Sequence, residues 1–249
     1  MQPTQRQMNR PPSRTIPDDA EQRTESRVRS RQGRGLRIGL LGGSFNPAHD
    51  GHRHISTIAL HRLGLDQVWW LVSPQNPLKS PEDMAPFEER FRSAEQVSRH
   101  PRILVSDIER RLGTSYTIDT MRALTRRFPR HHFVWLMGAD NLRQIPFWKD
   151  WTWVFRTVPV AVFARPTYSL KALSGKAAWR FRRYRLPERD ARKLKRMRPP
   201  VWCFLHIRLH PQSATQIREE RKREKQRRAV FKRRTQNSGQ CGSGIHPPA

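Results

Sequence analysis

The chain has 249 residues, of which 35% are hydrophobic, and a formal net charge of +28. This low apolar content indicates that part of the chain is solvated rather than packed in a core. No apolar run approaches the roughly 20 residues that a membrane helix needs, and the N-terminus lacks the apolar centre of a secretory signal. Cys203 and Cys241 lie in unlike contexts, which favours neither a disulfide framework nor a zinc site, so we expect a cytoplasmic protein.

The excess of positive charge is concentrated in three stretches. Net charges of +5, +10 and +7 fall on residues 1–37, 171–200 and 218–234. A solvated face is the first interpretation of such runs, because this is their most common role. Binding of nucleic acid, without sequence preference and sensitive to salt, is the second, and attraction of anionic nucleotides is the third. We therefore do not expect nucleic acid to be the main partner.

Composition divides the chain into one folded domain and two appendages. Residues 1–35 are rich in Gln, Arg, Pro and Ser, which predicts a disordered basic N-terminal arm. Residues 36–220 are expected to form the domain, with a basic, aromatic insert at 166–200 that contains one or two helices at an edge of the sheet. Residues 221–249 predict a tail that is first charged and then disordered.

Apolar runs and amphipathic segments alternate through the expected domain. Strands are predicted where the chain is apolar throughout, at 38–42, 68–72, 103–105, 133–137, 158–163 and 202–207. Helices are predicted where apolar residues recur every three or four positions, at 55–60, 87–97 and 115–128. A loop over 73–85 is rich in Pro, Asn and Ser. Fully apolar strands separated by helices predict an α/β fold, with a parallel sheet covered on both faces.

The segment between the first strand and the first helix has the most informative composition. Its sequence, from Gly43 to His52, is Gly-Ser-Phe-Asn-Pro-Ala-His-Asp-Gly-His. Glycine lets a backbone approach a ligand closely, and the unpaired N–H groups of a helix start favour phosphate. His49 is three residues from His52, so both rings can point into one small volume. We predict a phosphate site at the carboxyl end of the sheet, where such sheets bind ligands.

This segment resembles the signature of the HxGH nucleotidyltransferases, a superfamily with a Rossmann-like fold. Ser213–Arg218 resembles the second phosphate motif of that superfamily, with Ala214 where a serine is usual. Three other segments are similar to those of bacterial nicotinate-mononucleotide adenylyltransferases, namely Ser73–Lys79, Ser115–Thr120 and Met137–Leu142, the last followed by Trp148 and Trp151. The resemblance extends from about Leu36 to Arg218. It implies a Rossmann-like parallel sheet with helices on both faces.

The resemblance also implies an activity, which is the transfer of AMP from ATP to nicotinate mononucleotide in NAD biosynthesis. Pyrophosphate would leave with Mg²⁺, which no protein side chain would bind. The implied catalytic residues are His49 and His52. Together with these two, the implied ATP-binding residues are Gly42, Gly43, Ser44, Phe45, Ser213, Thr215 and Arg218. The implied mononucleotide-binding residues are Asn76, Lys79, Tyr116, Thr117, Asp140, Trp148 and Lys149.

Several alternatives stay open on the sequence alone. A sister enzyme would adenylylate phosphopantetheine or nicotinamide mononucleotide, and a protein of another class would use the same fold to bind nucleic acid. Single residues also have simpler interpretations, since Trp148 fits core packing and Lys79 fits a solvated loop. Asp119 is expected to lie on a helix face rather than to bind a ligand. The sequence does not predict an oligomeric state.

Overall fold

Seven parallel strands form a single sheet in the part of the chain that the structure describes. They are β1 (Arg37–Gly43), β2 (Gln67–Val72), β3 (Ile103–Ser106), β4 (His132–Gly138), β5 (Val160–Phe163), β6 (Arg185–Leu186) and β7 (Trp202–Leu205). Their order across the sheet is β3-β2-β1-β4-β5-β7-β6, with parallel pairing between all neighbours. The chain runs outward from β1 to β3 on one side and from β4 to β5 on the other. The strand order therefore reverses between β1 and β4, and ligands of open α/β sheets bind at such a point.

The computed structural model describes residues 35–75, 84–165 and 168–208, together with 217–219, 223–224 and 227. These residues belong to one compact unit that begins at Gly35. The predictions for the N-terminal arm, for most of the tail and for four binding residues lie outside the described residues; the four are Asn76, Lys79, Ser213 and Thr215. Within the described part, no helix has the length and apolar content that a membrane crossing requires.

Eight α-helices connect the strands in the described part of the chain. They are α1 (Asp50–Arg62), α2 (Phe87–Ser98), α3 (Ile108–Arg111), α4 (Thr117–Arg127), α5 (Ala139–Gln144), α6 (Trp151–Thr157), α7 (Ser169–Leu173) and α8 (Lys176–Arg180). Among the described residues, three 3-10 segments lie at Ile145–Phe147, Arg182–Tyr184 and Glu188–Arg196. The helix predicted at 55–60 begins earlier, at Asp50, and the strand predicted at 158–163 begins later, at Val160. Short helices such as α3 and α5 have too few turns to show an apolar period.

The sheet is covered on both faces, as predicted. On one face, side chains of α1, α2 and the segment Glu188–Arg196 pack against alternate strand residues in one apolar cluster. On the other face, Trp69 of β2 lies edge-on to Phe128 at 5.9 Å, and Phe155 of α6 lies edge-on to Trp202 of β7 at 6.5 Å. The strands are consequently apolar on both sides, which explains why they appear in the sequence as continuous apolar runs.

Residues 168–200 are more closely joined to the domain than a simple insert of helices would be. This segment contains α7 and α8, but also strand β6 at the sheet edge and the long 3-10 segment. Leu194 is fully buried, and Lys195 donates a hydrogen bond from Nζ to the carbonyl oxygen of Gly64 at 2.8 Å. The segment therefore combines an exposed cationic surface with an apolar side that belongs to the core.

Candidate active site

The crossover between β1 and α1, defined here as residues 43–52, lies at the carboxyl edge of the sheet. Phe45 has a φ of 45°, a left-handed backbone conformation that non-glycine residues seldom adopt. This turn places the Phe45 ring in the core, where the residue is 2% exposed. His49 is the residue that precedes the first turn of α1. The crossover thus brings a strained backbone turn, a helix start and two imidazoles to the centre of the sheet edge.

The two histidine rings lie against each other. Their centroids are 3.9 Å apart, and the planes are tilted by 39°. The backbone N–H of His49 donates to Nδ1 of His52 at 3.2 Å, and the backbone N–H of His52 donates to the carbonyl oxygen of His49 at 2.9 Å. Since Nδ1 of His52 is an acceptor, the neutral ring has its proton on Nε2. His52 therefore has one N–H donor that the protein backbone orients.

The environment of His52 keeps its imidazole neutral. Burial lowers the pKa of His52 well below its usual value, and the adjacent His49 and the guanidinium of Arg165 lower it further. The ring of Phe45 lies 4.8 Å from the imidazole and stacks on Trp70 at 5.1 Å. These aromatic rings exclude water from one side of His52. At neutral pH the His52 ring is therefore uncharged and offers an N–H donor.

An acidic and a basic side chain face each other beside the histidines. Asp140 lies in the first turn of α5, directly after β4, and its carboxylate is 3.3 Å from Nε of Arg165. A Cβ at Gly138 would meet Oδ1 of Asp140 and Nε of Arg165, so a side chain there would displace this ion pair. Arg165, which follows β5, is a site residue that the sequence analysis missed. Its position just after a buried strand, at the same edge as the crossover, was the available signal.

A second group of predicted residues surrounds two tryptophans. Trp148 follows the 3-10 turn after α5 and lies edge-on to Trp135 of β4, with the ring centroids 6.4 Å apart. The Trp135 ring in turn occupies the space above Gly42, where any side chain would collide with it. Gly42 therefore has to be glycine for Trp135 to fit. Trp148 is half-buried, so packing covers part of the ring and leaves part accessible.

The predicted carboxylate-binding residues also come together. Nζ of Lys149 lies 4.7 Å from the ring centroid of Tyr116 and 3.2 Å from Oδ2 of Asp119. Tyr116 precedes α4, and Thr117 is the first residue of that helix. Asp119 lies in the first turn of α4 and pairs with Lys149, in agreement with its expected place on a helix face.

The buried carboxyl group of Glu109 packs against the start of α4. Thr120 donates to Oε1 of Glu109 at 3.1 Å and lies 2.8 Å from the hydroxyl of Thr114. Glu109 is 8% exposed, and burial raises its pKa to about 7. Neither Glu109 nor its threonine partners were predicted as site residues, because nothing in the sequence distinguishes this glutamate from the exposed ones nearby.

Arg218 joins the crossover from the far end of the described chain. Its guanidinium donates to the carbonyl oxygen of Asn46 at 2.8 Å. The structure therefore groups Arg218 with the predicted residues of the crossover, which are Gly43, Ser44, Phe45, His49 and His52, and with Gly42 just before them in β1. In the described segments, no group of three or more His, Cys, Asp or Glu side chains has the arrangement of a metal site.

Comparisons with known proteins identify the family of this chain. Residues 40–220 match the model of the cytidylyltransferase-like family. A relative from Parvibaculum lavamentivorans, named a probable nicotinate-nucleotide adenylyltransferase, is 57% identical over 74% of this chain and 92% of its own length. Relatives of the same name from Cereibacter sphaeroides and a Caulobacter species are each 49% identical, over 73% and 74% of this chain and 95% and 97% of their own lengths.

Solved structures show the same fold at low identity. The nicotinic acid mononucleotide adenylyltransferase of Plasmodium falciparum complexed with NaAD matches with a TM-score of 0.52 and 15% identity, over 73% of this chain and 82% of that one. The complex of the same protein with APC matches with a TM-score of 0.52 and 14% identity. With a family model that matches residues 40–220 and relatives of one name at 49–57% identity, the chain belongs to the nicotinate-nucleotide adenylyltransferases of the cytidylyltransferase-like family.

Proposed function

We propose that this protein transfers the AMP portion of ATP to nicotinate mononucleotide, giving nicotinate adenine dinucleotide and pyrophosphate. The observation that supports this most strongly is the crossover, where a neutral His52 lies against a buried His49, Arg165 lowers the pKa of His52, and Arg218 binds the carbonyl oxygen of Asn46. The relatives named after this activity, at 49–57% identity, support the same function.

The proposed reaction is one displacement at phosphorus. An oxygen of the 5′-phosphate of nicotinate mononucleotide attacks the α-phosphorus of ATP, and the bond from that phosphorus to the bridging α–β oxygen breaks. Pyrophosphate leaves with that bridging oxygen and its electron pair. No protein side chain becomes covalently attached, so catalysis depends on placing two anions in line and stabilising charge.

The histidines would supply the charge stabilisation. Nε2–H of His52 is the donor that we place on an oxygen of the α-phosphate, and His49 would bind a second oxygen. Backbone groups of Gly42 to Phe45 would line the triphosphate, with Ser213, Thr215 and Arg218 on its other side. Mg²⁺ would enter as part of the MgATP substrate, where phosphate and water oxygens satisfy it, and would neutralise the leaving pyrophosphate.

The mononucleotide would lie between the two tryptophans and the start of α4. Trp148, half-buried beside Trp135, would stack on the pyridine ring. Backbone groups around Tyr116, Thr117 and Lys149 would meet the nicotinate carboxylate, and Lys149 adds positive charge near it. Asp140 would accept hydrogen bonds from ribose hydroxyls. Asn76 and Lys79 remain proposed contacts to the same substrate.

A pyrophosphate-release assay with MgATP and a panel of acceptor phosphates tests the proposal. Nicotinate mononucleotide should give the highest kcat/KM, above nicotinamide mononucleotide and phosphopantetheine, because cationic and N–H donors suit a carboxylate better than a carboxamide. Equal values for the two pyridine nucleotides would remove the preference for the acid. A higher kcat/KM for phosphopantetheine would make the protein a sister enzyme. Absence of turnover with every acceptor in the panel would contradict the proposal altogether.

A further inference from the structure

A buried arginine outside the predicted site binds four backbone carbonyl groups. Arg90 lies in the first turn of α2 and is 2% exposed. Its Nη1 donates to the carbonyl oxygens of Ser44 at 2.7 Å and Ser73 at 2.8 Å. Its Nη2 donates to Pro74 at 2.9 Å, and its Nε donates to Ala85 at 2.9 Å. A single guanidinium thus connects three segments that are distant in sequence.

The charge of this guanidinium is not neutralised by an acidic partner in the described part of the chain, where all of its hydrogen-bond acceptors are carbonyls. Burial lowers the pKa of Arg90, but arginine keeps its proton at neutral pH. A buried charge is costly unless hydrogen bonds compensate it, and here four carbonyl oxygens do so. An apolar side chain of similar volume would leave these carbonyls without this donor, so the role of the arginine follows from the segments that carry them.

The positions of the four carbonyls indicate what the arginine does. Ser44 belongs to the crossover, whereas Ser73 and Pro74 follow β2 and begin the motif that resembles the mononucleotide loop. Two further bonds join the same segments, since the N–H of Ser73 donates to the carbonyl oxygen of Gly43 at 3.0 Å and the N–H of Ala85 donates to Oδ1 of Asn46 at 3.2 Å. Arg90 is the only one of these groups that contacts all three segments at once.

We propose that Arg90 is a positioning residue that holds the crossover and the carboxyl end of β2 in one fixed arrangement. This inference rests on the proposed function, in which the crossover binds ATP and the other segment approaches the mononucleotide. In-line attack requires the attacking oxygen and the α-phosphorus to be aligned at about 3–3.5 Å, and misplacement by about 1 Å can cost about 100-fold in rate. The planar guanidinium, with its donors at fixed angles, suits this task and an ammonium does not.

Three variants test the role of Arg90. R90M removes all four hydrogen bonds, R90K keeps a charge but not the planar fork, and R92M removes an exposed arginine from the same helix as a control. We expect R92M to behave as wild type. For R90K, which keeps a cation for some of the carbonyls, we expect a folded protein whose kcat falls at least tenfold, and for R90M a larger fall. KM should rise for both substrates together, because both segments lose the guanidinium that holds them in place.

Binding measurements keep the proposal testable independently of turnover. Calorimetry with a non-hydrolysable ATP analogue and with nicotinate mononucleotide should show weaker binding of each to R90K, by similar factors. A variant with a lower Tm but with unchanged binding constants and unchanged kcat per folded molecule would show a purely structural role and overturn the proposal. Loss of affinity for one substrate only would also overturn it. Failure of the proposed function appears differently, as a wild-type protein without turnover on nicotinate mononucleotide.

Discussion

The crossover and the segment 168–200 use charge in opposite ways. Polar side chains in the crossover are few; His49 is 5% exposed, and Arg90, which binds the backbone of the crossover from a neighbouring helix, is 2% exposed. In the segment 168–200, cations are numerous and exposed, and Arg182 stacks on the ring of Trp179 at 4.5 Å while that tryptophan remains 64% exposed. The net charge of +28 therefore says little about the site, because only its few desolvated charges act at full strength.

The largest effect is expected from removing His52. H52A deletes the neutral N–H donor that we place on the α-phosphate, and loss of one such donor costs about 100- to 1,000-fold in kcat. Steady-state kinetics with circular dichroism measures turnover and folding together. H61A, an exposed histidine in the last turn of the same helix, is the matched control and should leave kcat unchanged. Equal kinetics of the two variants would remove His52 from the mechanism.

A smaller loss is expected at Arg165. R165M should lower kcat/KM about 10- to 100-fold, since hydrogen bonds to charged groups contribute about 1.5–3 kcal/mol. It should also raise the pKa of His52, because the guanidinium is one of the groups that lower it. Titration of the imidazole nitrogens by NMR reports the pKa directly. The control R156M changes an exposed arginine that stacks on Trp153 and should leave the pKa of His52 unchanged. The same His52 pKa in R165M and wild type would contradict the conclusion that Arg165 lowers it.

Glu109 should make stability depend on pH. Its pKa is raised from 4.5 to about 7, so the native state binds more protons than the unfolded state within that window. The free energy of unfolding should therefore fall as pH rises from about 4.5 to 7, by at most about 3 kcal/mol from this group. E109Q, which mimics the protonated carboxyl, should lose this fall. Urea unfolding at pH 5 and pH 8 measures this change in the free energy of unfolding, and E88Q, at an exposed glutamate, is the control. The same pH dependence in E109Q and wild type would show that Glu109 does not cause it.

The smallest effect is expected in the segment 168–200. R182A removes one exposed cation from Trp179, and such surface contacts change stability by about 0.5 kcal/mol or less. Activity should stay within about twofold of wild type. A tenfold loss of kcat/KM in R182A would show that this surface takes part in the reaction and would remove the contrast with the crossover.

The sheet was predictable because its strands are buried on both faces. The runs predicted at 68–72 and 103–105 differ from β2 and β3 by one residue at one end. The start of β5 was harder to predict than its end, since Val158 and Pro159 continue the apolar run but precede the strand. Strand β6 has two residues, one of them an exposed arginine, so it has no pattern that the sequence could display.

The crossover histidines were predictable because they lie within a specific ten-residue motif. Arg90 was not, because it acts on atoms that only the fold brings close, and the sole sequence signal for Arg165 was its place just after a buried strand. The acceptors of Arg90 include the carbonyl of Ser44, 46 positions away, and backbone carbonyls have no signature in a sequence. One arginine among 49 basic residues is distinguished only by burial.

A crystal structure with MgATP analogue and nicotinate mononucleotide bound tests the central claim most directly. The account predicts that Nε2 of His52 lies within about 3 Å of an α-phosphate oxygen. It also places the mononucleotide phosphate on the opposite side of that phosphorus, in line with the α–β bridging oxygen. A triphosphate bound away from the crossover, with the two imidazoles in contact with protein atoms alone, would contradict it.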